Sequence, residues 1–69
     1  MRLSARNQLR GTVATVEHGR VMSSVKVTLP DGQGITAAIT REAAEELDLG
    51  PGDPVVVVIK ATEVMLGRE

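Results

Sequence analysis

The chain has 69 residues, no cysteine, no aromatic residue and a single histidine, which nearly excludes disulfides or a structural metal as its means of stabilisation. Association with other chains is the remaining support for so small a core, which must be built from aliphatic side chains. The formal net charge of −1 argues against a dedicated nucleic-acid-binding protein, whose affinity depends mainly on neutralising phosphates.

The first predicted elements are two strands joined by a short turn. β-Branched residues are frequent from Gln8 to Glu17, and His18-Gly19 then supplies a turn. From Val21 to Leu29 apolar and polar residues alternate with a period of two, which indicates a strand with one buried face. In the first strand, the residues predicted to share a face are Leu9, Gly11, Val13 and Thr15.

The central part of the sequence predicts a hairpin followed by a short helix. Pro30-Asp31-Gly32 is typical of a tight turn, and residues 34–40, GITAAIT, form the next predicted strand. Thr40 is a good N-cap residue for the segment REAAEELDL, residues 41–49. The residues predicted to form the buried face of this helix are Ala43, Ala44 and Leu47.

The C-terminal third predicts two more strands. The segment 49–54 contains Gly and Pro residues that end the helix, and VVVVI follows at residues 55–59. Five consecutive β-branched apolar residues cannot alternate between core and solvent, so both faces of this strand should be covered, one of them by another subunit. A last short strand, EVML at residues 63–66, should place Val64 and Leu66 on one side.

These elements predict an all-β protein with one short helix. Several short strands with a helix between the third and the fourth suggest a small barrel that resembles an OB-fold. Residues 1–69 should form a single domain, with residues 1–8 as an arm able to reach a neighbouring subunit. The N-terminus contains no apolar leader and no run is long enough to span a membrane, so we expect a cytoplasmic protein with no membrane partner.

Two short polar stretches interrupt the apolar pattern, residues 4–7 and residues 60–62. Each combines a cation with hydroxyl or amide groups, which are the donors that a tetrahedral oxyanion requires. On spacing alone, Lys60 as a solvated strand end, Arg6 as a surface arginine and Thr40 as a plain N-cap remain the commoner interpretations. The candidate oxyanion donors are Ser4, Arg6, Thr40, Lys60 and Thr62.

Four segments together resemble the molbindin family, also called Mop domains. They are SARNQLRG at residues 4–11, GITAAIT at 34–40, LDLGPGDPV at 47–55 and IKATEVML at 59–66. The opening SARNxxxG and the closing KATxVM are the most specific parts, and the resemblance covers nearly the whole chain. It implies OB-like units that exchange strands between subunits in a homohexamer built from three dimers, with molybdate or tungstate bound at subunit interfaces.

The resemblance also implies which residues bind the oxyanion. It places Ser4 and Arg6 of one chain around a site with Thr40, Lys60 and the backbone of Ala61 from a neighbour. A second class of site, nearer the three-fold axis, would involve Ser23. Two departures from the family pattern weaken these sites: residues 21–25 read VMSSV where relatives often have VNAEV or VNSEV, and Ala43 stands where relatives often have a serine.

Storage of molybdate or tungstate, without catalysis and with no catalytic cofactor, is therefore the leading hypothesis. One alternative is a sensing module that reports oxyanion occupancy to a transporter or repressor. A nucleic-acid-binding OB-fold or swapped-hairpin protein ranks lower, because stacking aromatics and a basic groove are absent. Nothing places a base beside a nucleophile, His18 has no assigned role, and the lone histidine cannot build a metal cage. Pterin binding stays open.

Overall fold

The computed structural model describes residues 1–69 and contains one four-stranded antiparallel sheet with two short helical segments. The sheet has the order β3-β2-β1-β4 and curls into a half-barrel. No helix in the chain is long and apolar enough to cross a membrane. In chain order the elements are β1 Asn7–His18, β2 Met22–Thr28, β3 Gly34–Thr40, α1 Arg41–Glu46, β4 Pro54–Ile59 and the 3₁₀ helix η1 Ala61–Glu63.

β1 is the longest strand, and its two halves pair with different neighbours. Its first half, from Asn7 to Thr12, pairs with β4. Its second half, from Thr12 to His18, pairs with β2. Each neighbour therefore covers one edge of β1 over only part of its length, which leaves part of each edge without a partner strand in the single chain.

A bulge in β1 changes which side chains face the core. The register with β2 shifts between Val13 and Thr15, so the inward positions become Val13 and then Val16. The prediction that Thr15 shares a face with Val13 is therefore wrong. The inserted residue reverses the alternation of faces, and the sequence alone does not mark where it occurs.

The β2–β3 hairpin matches its prediction closely. β3 has the predicted bounds, and in β2 the side chains of Ser23, Val25 and Val27 are buried. The turn closes through the Gly32 N–H, which donates to the carbonyl of Leu29 at 2.9 Å, and Gly32 has a φ of 91°. Glycine adopts that φ without strain, which is why this turn needs it.

The helix α1 begins where it was predicted and ends earlier. The Thr40 hydroxyl accepts a hydrogen bond from the N–H of Ala43 at 3.0 Å, which confirms Thr40 as the N-cap. Ala44 is buried, but Leu47 at the C-cap is 66% exposed, so its predicted place on the buried face is wrong. Leu49 packs against the core instead, because Asp48 adopts a φ of 51° and turns the chain back toward the sheet.

The core is small and lies on the concave face of the sheet. Val13, Val25 and Val27 form its buried centre, against which partly buried residues of β3 and β4 pack. In β4, Val56 and Val58 remain 38% and 43% exposed. One face of the valine run is therefore uncovered in the single chain, as expected if another subunit covers it.

The predicted C-terminal strand is absent. After β4 the chain forms η1 and continues from Val64 without regular structure, and Met65 and Leu66 are more than nine-tenths exposed. A strand forms only when its backbone pairs with a neighbour, and no strand of the same chain lies beside this segment. The prediction of a strand at residues 63–66 is therefore wrong for the single chain.

Candidate functional site

The two polar stretches lie together at one end of the β1–β4 pair. Asn7 pairs with Ile59, and its side-chain amide donates to the carbonyl of Ile59 at 3.2 Å. Arg6 immediately precedes this pair and Lys60 immediately follows it, so the antiparallel register brings the two residues to adjacent strand ends. We call residues 4–6 and 60–62 the Arg6–Lys60 end.

The cations at the Arg6–Lys60 end are exposed and have no counterion. The only ion pair of the chain joins Arg41 to Glu45, far along the sequence from Arg6 and Lys60. Two neighbouring like charges repel each other, and a bound anion between them removes that repulsion. The free guanidinium of Arg6 and the free ammonium of Lys60 therefore favour an anionic ligand at this end.

The backbone after Lys60 adds further donors. Lys60 is extended, with φ −63° and ψ 131°, and serves as the N-cap of η1. Its carbonyl accepts from the N–H of Glu63 at 2.9 Å. The N–H groups of Ala61 and Thr62 open this turn, and the first N–H groups of a helical turn have no partner within it. Ser4, Ala61 and Thr62 thus share one end of the molecule with the two cations.

Thr40 and Ser23 lie at the other end of the sheet. Thr40 ends β3 and pairs with Met22, while Ser23 pairs with Ile39 in the adjacent row. The Thr40 hydroxyl uses an oxygen lone pair to accept from Ala43, so its own hydrogen is still available for donation to a ligand. We call residues 18–23 together with Thr40 the Thr40 end.

Sequence reasoning missed a partner for Ser23. The Ser23 side chain is 2% exposed, and its Oγ lies 2.7 Å from Nδ1 of His18, to which no role had been assigned. The two residues face each other across the β1–β2 pair. A different pairing register of β1 with β2 would have separated the two side chains. The spacing of five residues in the sequence therefore does not reveal this contact, whereas the strand register does.

One chain does not bring all the candidate donors together. The Arg6–Lys60 end lies where β1 begins and the Thr40 end lies where β1 finishes, so the length of this 12-residue strand separates them. Within one chain the structure places Lys60 beside Arg6, not beside Thr40. A pocket that combines Arg6 and Thr40 therefore requires a second copy of the chain.

Comparisons with known proteins agree with this architecture. Residues 3–66 match the TOBE domain family. The chain is 48% identical over 64 residues to the molybdenum transport protein ModE of Herbaspirillum seropedicae, which covers 93% of this chain but only 24% of ModE. It thus spans about a quarter of that relative's length.

Two solved structures show the same fold. A molybdate-binding protein from Sporomusa ovata superposes with a TM-score of 0.92 at 38% identity, covering 99% of this chain and all of the other. The cytoplasmic molybdate-binding protein ModG, with molybdate bound, has a TM-score of 0.85 at 51% identity over 88% of this chain and 43% of ModG. The all-β fold with one short helix is therefore shared with these proteins.

Proposed function

Because this chain belongs to the TOBE-domain family, and within it to the molbindin (Mop) proteins, we propose that it binds molybdate at interfaces between its own copies. The observation that carries the proposal is the pair of cations at the Arg6–Lys60 end, which are free of counterions. A tetrahedral dianion placed there is neutralised by Arg6 and Lys60. Thr40 of a second copy donates the hydroxyl bond that one chain cannot supply.

The donors suit an oxyanion better than a metal cation. Arginine, lysine, hydroxyl and backbone N–H groups all donate hydrogen bonds, whereas metal cations require acceptor ligands. The proposed set is therefore Ser4, Arg6, Lys60, Thr62 and the backbone N–H of Ala61 from the Arg6–Lys60 end, with Thr40 from a neighbour. Tungstate has the same charge and shape as molybdate, so the same donors are proposed to bind it.

The unpaired edges of β1 support the proposed assembly. Strand exchange between two copies would pair the uncovered part of β1, and the open face of β4 would be buried at the same time. We propose a strand-exchanged dimer as the unit, with three dimers forming a hexamer. In this assembly residues 1–69 act as a single oxyanion-binding domain without catalytic activity, and the description of ModG as cytoplasmic supports the same location here.

A sensing role is the second candidate, because the chain matches about a quarter of ModE. In that case the bound oxyanion would change how a copy of this domain meets a transporter or regulator. Recovery of such a partner with the purified protein only in the presence of molybdate would favour sensing over storage.

Isothermal titration of the purified protein with molybdate, tungstate and sulfate tests the proposed function. We expect heat and saturation with both metal oxyanions. Arg6→Ala should weaken molybdate binding by about ten-fold or more, because a hydrogen bond to a charged group contributes roughly 1.5–3 kcal/mol. Lys26→Ala, which removes an exposed cation from β2, is the matched control and should bind like the parent. Absence of saturable binding to either metal oxyanion would refute the proposal.

A further inference from the structure

Ser23 is the only buried polar residue of the chain, and His18 is the partner of its side chain. The Ser23 hydroxyl and His18 Nδ1 lie 2.7 Å apart and share one hydrogen bond, whose direction is set by the His18 tautomer. The Ser23 hydroxyl is thus engaged within the protein, below its surface.

Hydrogen bonds also connect the turn that follows His18 to the start of α1. The N–H of Gly19 donates to the carbonyl of Met22, and the N–H of Arg41 donates to the carbonyl of Val21, both at 2.7 Å. The guanidinium of Arg41 donates to the carbonyl of Gly19 at 3.4 Å and pairs with Glu45. The β1–β2 turn is therefore held from the sheet on one side and from the helix on the other.

Thr40 lies between the His18–Ser23 contact and the hydrogen bonds that Arg41 makes to the turn. It pairs with Met22, the neighbour of Ser23, and it directly precedes Arg41. A displacement of the turn at His18 and Ser23 is therefore transmitted to Thr40 through one strand pair and one backbone hydrogen bond. The position of the Thr40 hydroxyl, on the β3 side of β2, therefore depends on the His18–Ser23 contact on the β1 side of β2.

We propose that His18 is a positioning residue that holds Ser23, and through it the β1–β2 turn and Thr40, in the arrangement that binds the oxyanion. In this arrangement Ser23 has a structural role and does not bind an oxyanion at a second site. The proposal rests on the proposed function, because Thr40 matters only if its hydroxyl meets the ligand.

The energetic reason is the cost of a buried hydroxyl without a hydrogen-bond partner. If His18 loses its imidazole, Ser23 must turn away or admit water, and the first residue pair after the turn loosens. The ligand set remains complete, so the number of oxyanions bound per chain stays the same. Only the affinity falls, since part of the binding energy must restore the position of Thr40.

Molybdate titration of the assembled full-length protein tests the proposal through a rescue. His18→Ala should retain the parent stoichiometry and weaken binding by a factor of about 3 to 10, the range expected for one lost neutral hydrogen bond. His18→Asn should restore the affinity, because the Asn side-chain amide reaches nearly the position of Nδ1 and offers both an acceptor oxygen and a donor nitrogen for the bond to Ser23. Lys26→Ala, which removes an exposed cation of β2 outside both the Arg6–Lys60 end and the Thr40 end, is the control and should bind like the parent.

A double-mutant cycle provides the second measurement if His18→Ala assembles poorly. Ser23→Ala removes both the hydroxyl and its need for a hydrogen-bond partner, and adding His18→Ala to it should cause little further loss of affinity. A drop in molybdate bound per chain, parent affinity in His18→Ala, or failure of His18→Asn to rescue would each overturn the proposal. If the parent protein binds no molybdate, the proposed function itself fails. If the parent protein binds molybdate and His18→Ala binds it with the same affinity, only the positioning role is refuted.

Discussion

Gly11 lies in β1, close to residues at the end of β2. A Cβ atom at this position would lie 2.6 Å from Cγ1 of Val27 and 3.0 Å from the carbonyl oxygen of Thr28. Val27 is 4% exposed and β-branched, so few rotamers are open to its side chain for making room. We expect Gly11→Ala to destabilise the protein by roughly 1–3 kcal/mol, the usual cost of overpacking a core. Thermal denaturation at matched protein concentration should show a lower Tm.

Gly34 provides the control for this substitution. It also lies in a strand, but a Cβ atom there would have only the carbonyl oxygen of Val27 nearby, at 3.8 Å. Gly34→Ala should therefore change stability by less than about 0.5 kcal/mol. Equal losses of Tm in the two variants would show that crowding against Val27 is not the reason for glycine at position 11.

At the scale of single residues, the sequence indicated chemical character better than contacts. Arg6 and Lys60 stood out because cations interrupted an apolar pattern, and their adjacency follows from the pairing of β1 with β4. The contact between His18 and Ser23 depended on the register after a turn, which composition does not specify. Thr15 was predicted wrongly to share a face with Val13, because one bulge reversed the faces of the strand.

Thr40 connects the strand β3 to the helix α1, and its hydroxyl has two separable roles at this junction. Thr40→Ala removes the N-cap bond to Ala43, which should cost about 1 kcal/mol of stability. It also removes the donor proposed for the oxyanion, so molybdate affinity should fall by about ten-fold or more. Thermal denaturation and titration of the same preparations measure the two losses separately.

Thr40→Ser tests whether the hydroxyl is the group responsible. Serine caps a helix as well as threonine and keeps the hydrogen that is donated to the ligand, so both Tm and affinity should remain close to the parent values. If Thr40→Ala lowers the Tm while molybdate affinity stays unchanged, Thr40 is only a helix cap and the proposed ligand set loses its one member from the Thr40 end.

At the scale of elements, the predictions succeeded where signals were local. The β2–β3 hairpin has a turn sequence and a regular alternation next to each other, and both strands formed as expected. The C-terminal strand failed because its apolar pattern does not say which chain should pair with it. The predicted end of α1 was too late, because Asp48 has a positive φ that stops the helix. Few residues other than glycine adopt a positive φ, so the sequence pattern did not anticipate it.

The whole molecule separates two sets of donors along one long strand. Cations without counterions lie at the start of β1, and the free hydroxyl hydrogen of Thr40 lies near its end. The open face of β4 and the partly unpaired edges of β1 indicate that the single chain is an incomplete unit. Composition led to the prediction of association with other chains, whereas the division of the proposed site into two ends required the sheet topology.

Mixed assemblies of two defective chains test this division directly. An Arg6→Ala chain keeps Thr40, and a Thr40→Ala chain keeps Arg6, so a site shared between copies becomes intact when each chain supplies its remaining half. After the two variants are unfolded and refolded together, about a quarter of the sites should recover parent affinity by random assortment in a symmetric assembly. Refolding each variant alone is the control and should recover none. A pocket built within one chain would always carry one of the two defects, so a mixture without high-affinity sites would contradict the shared pocket.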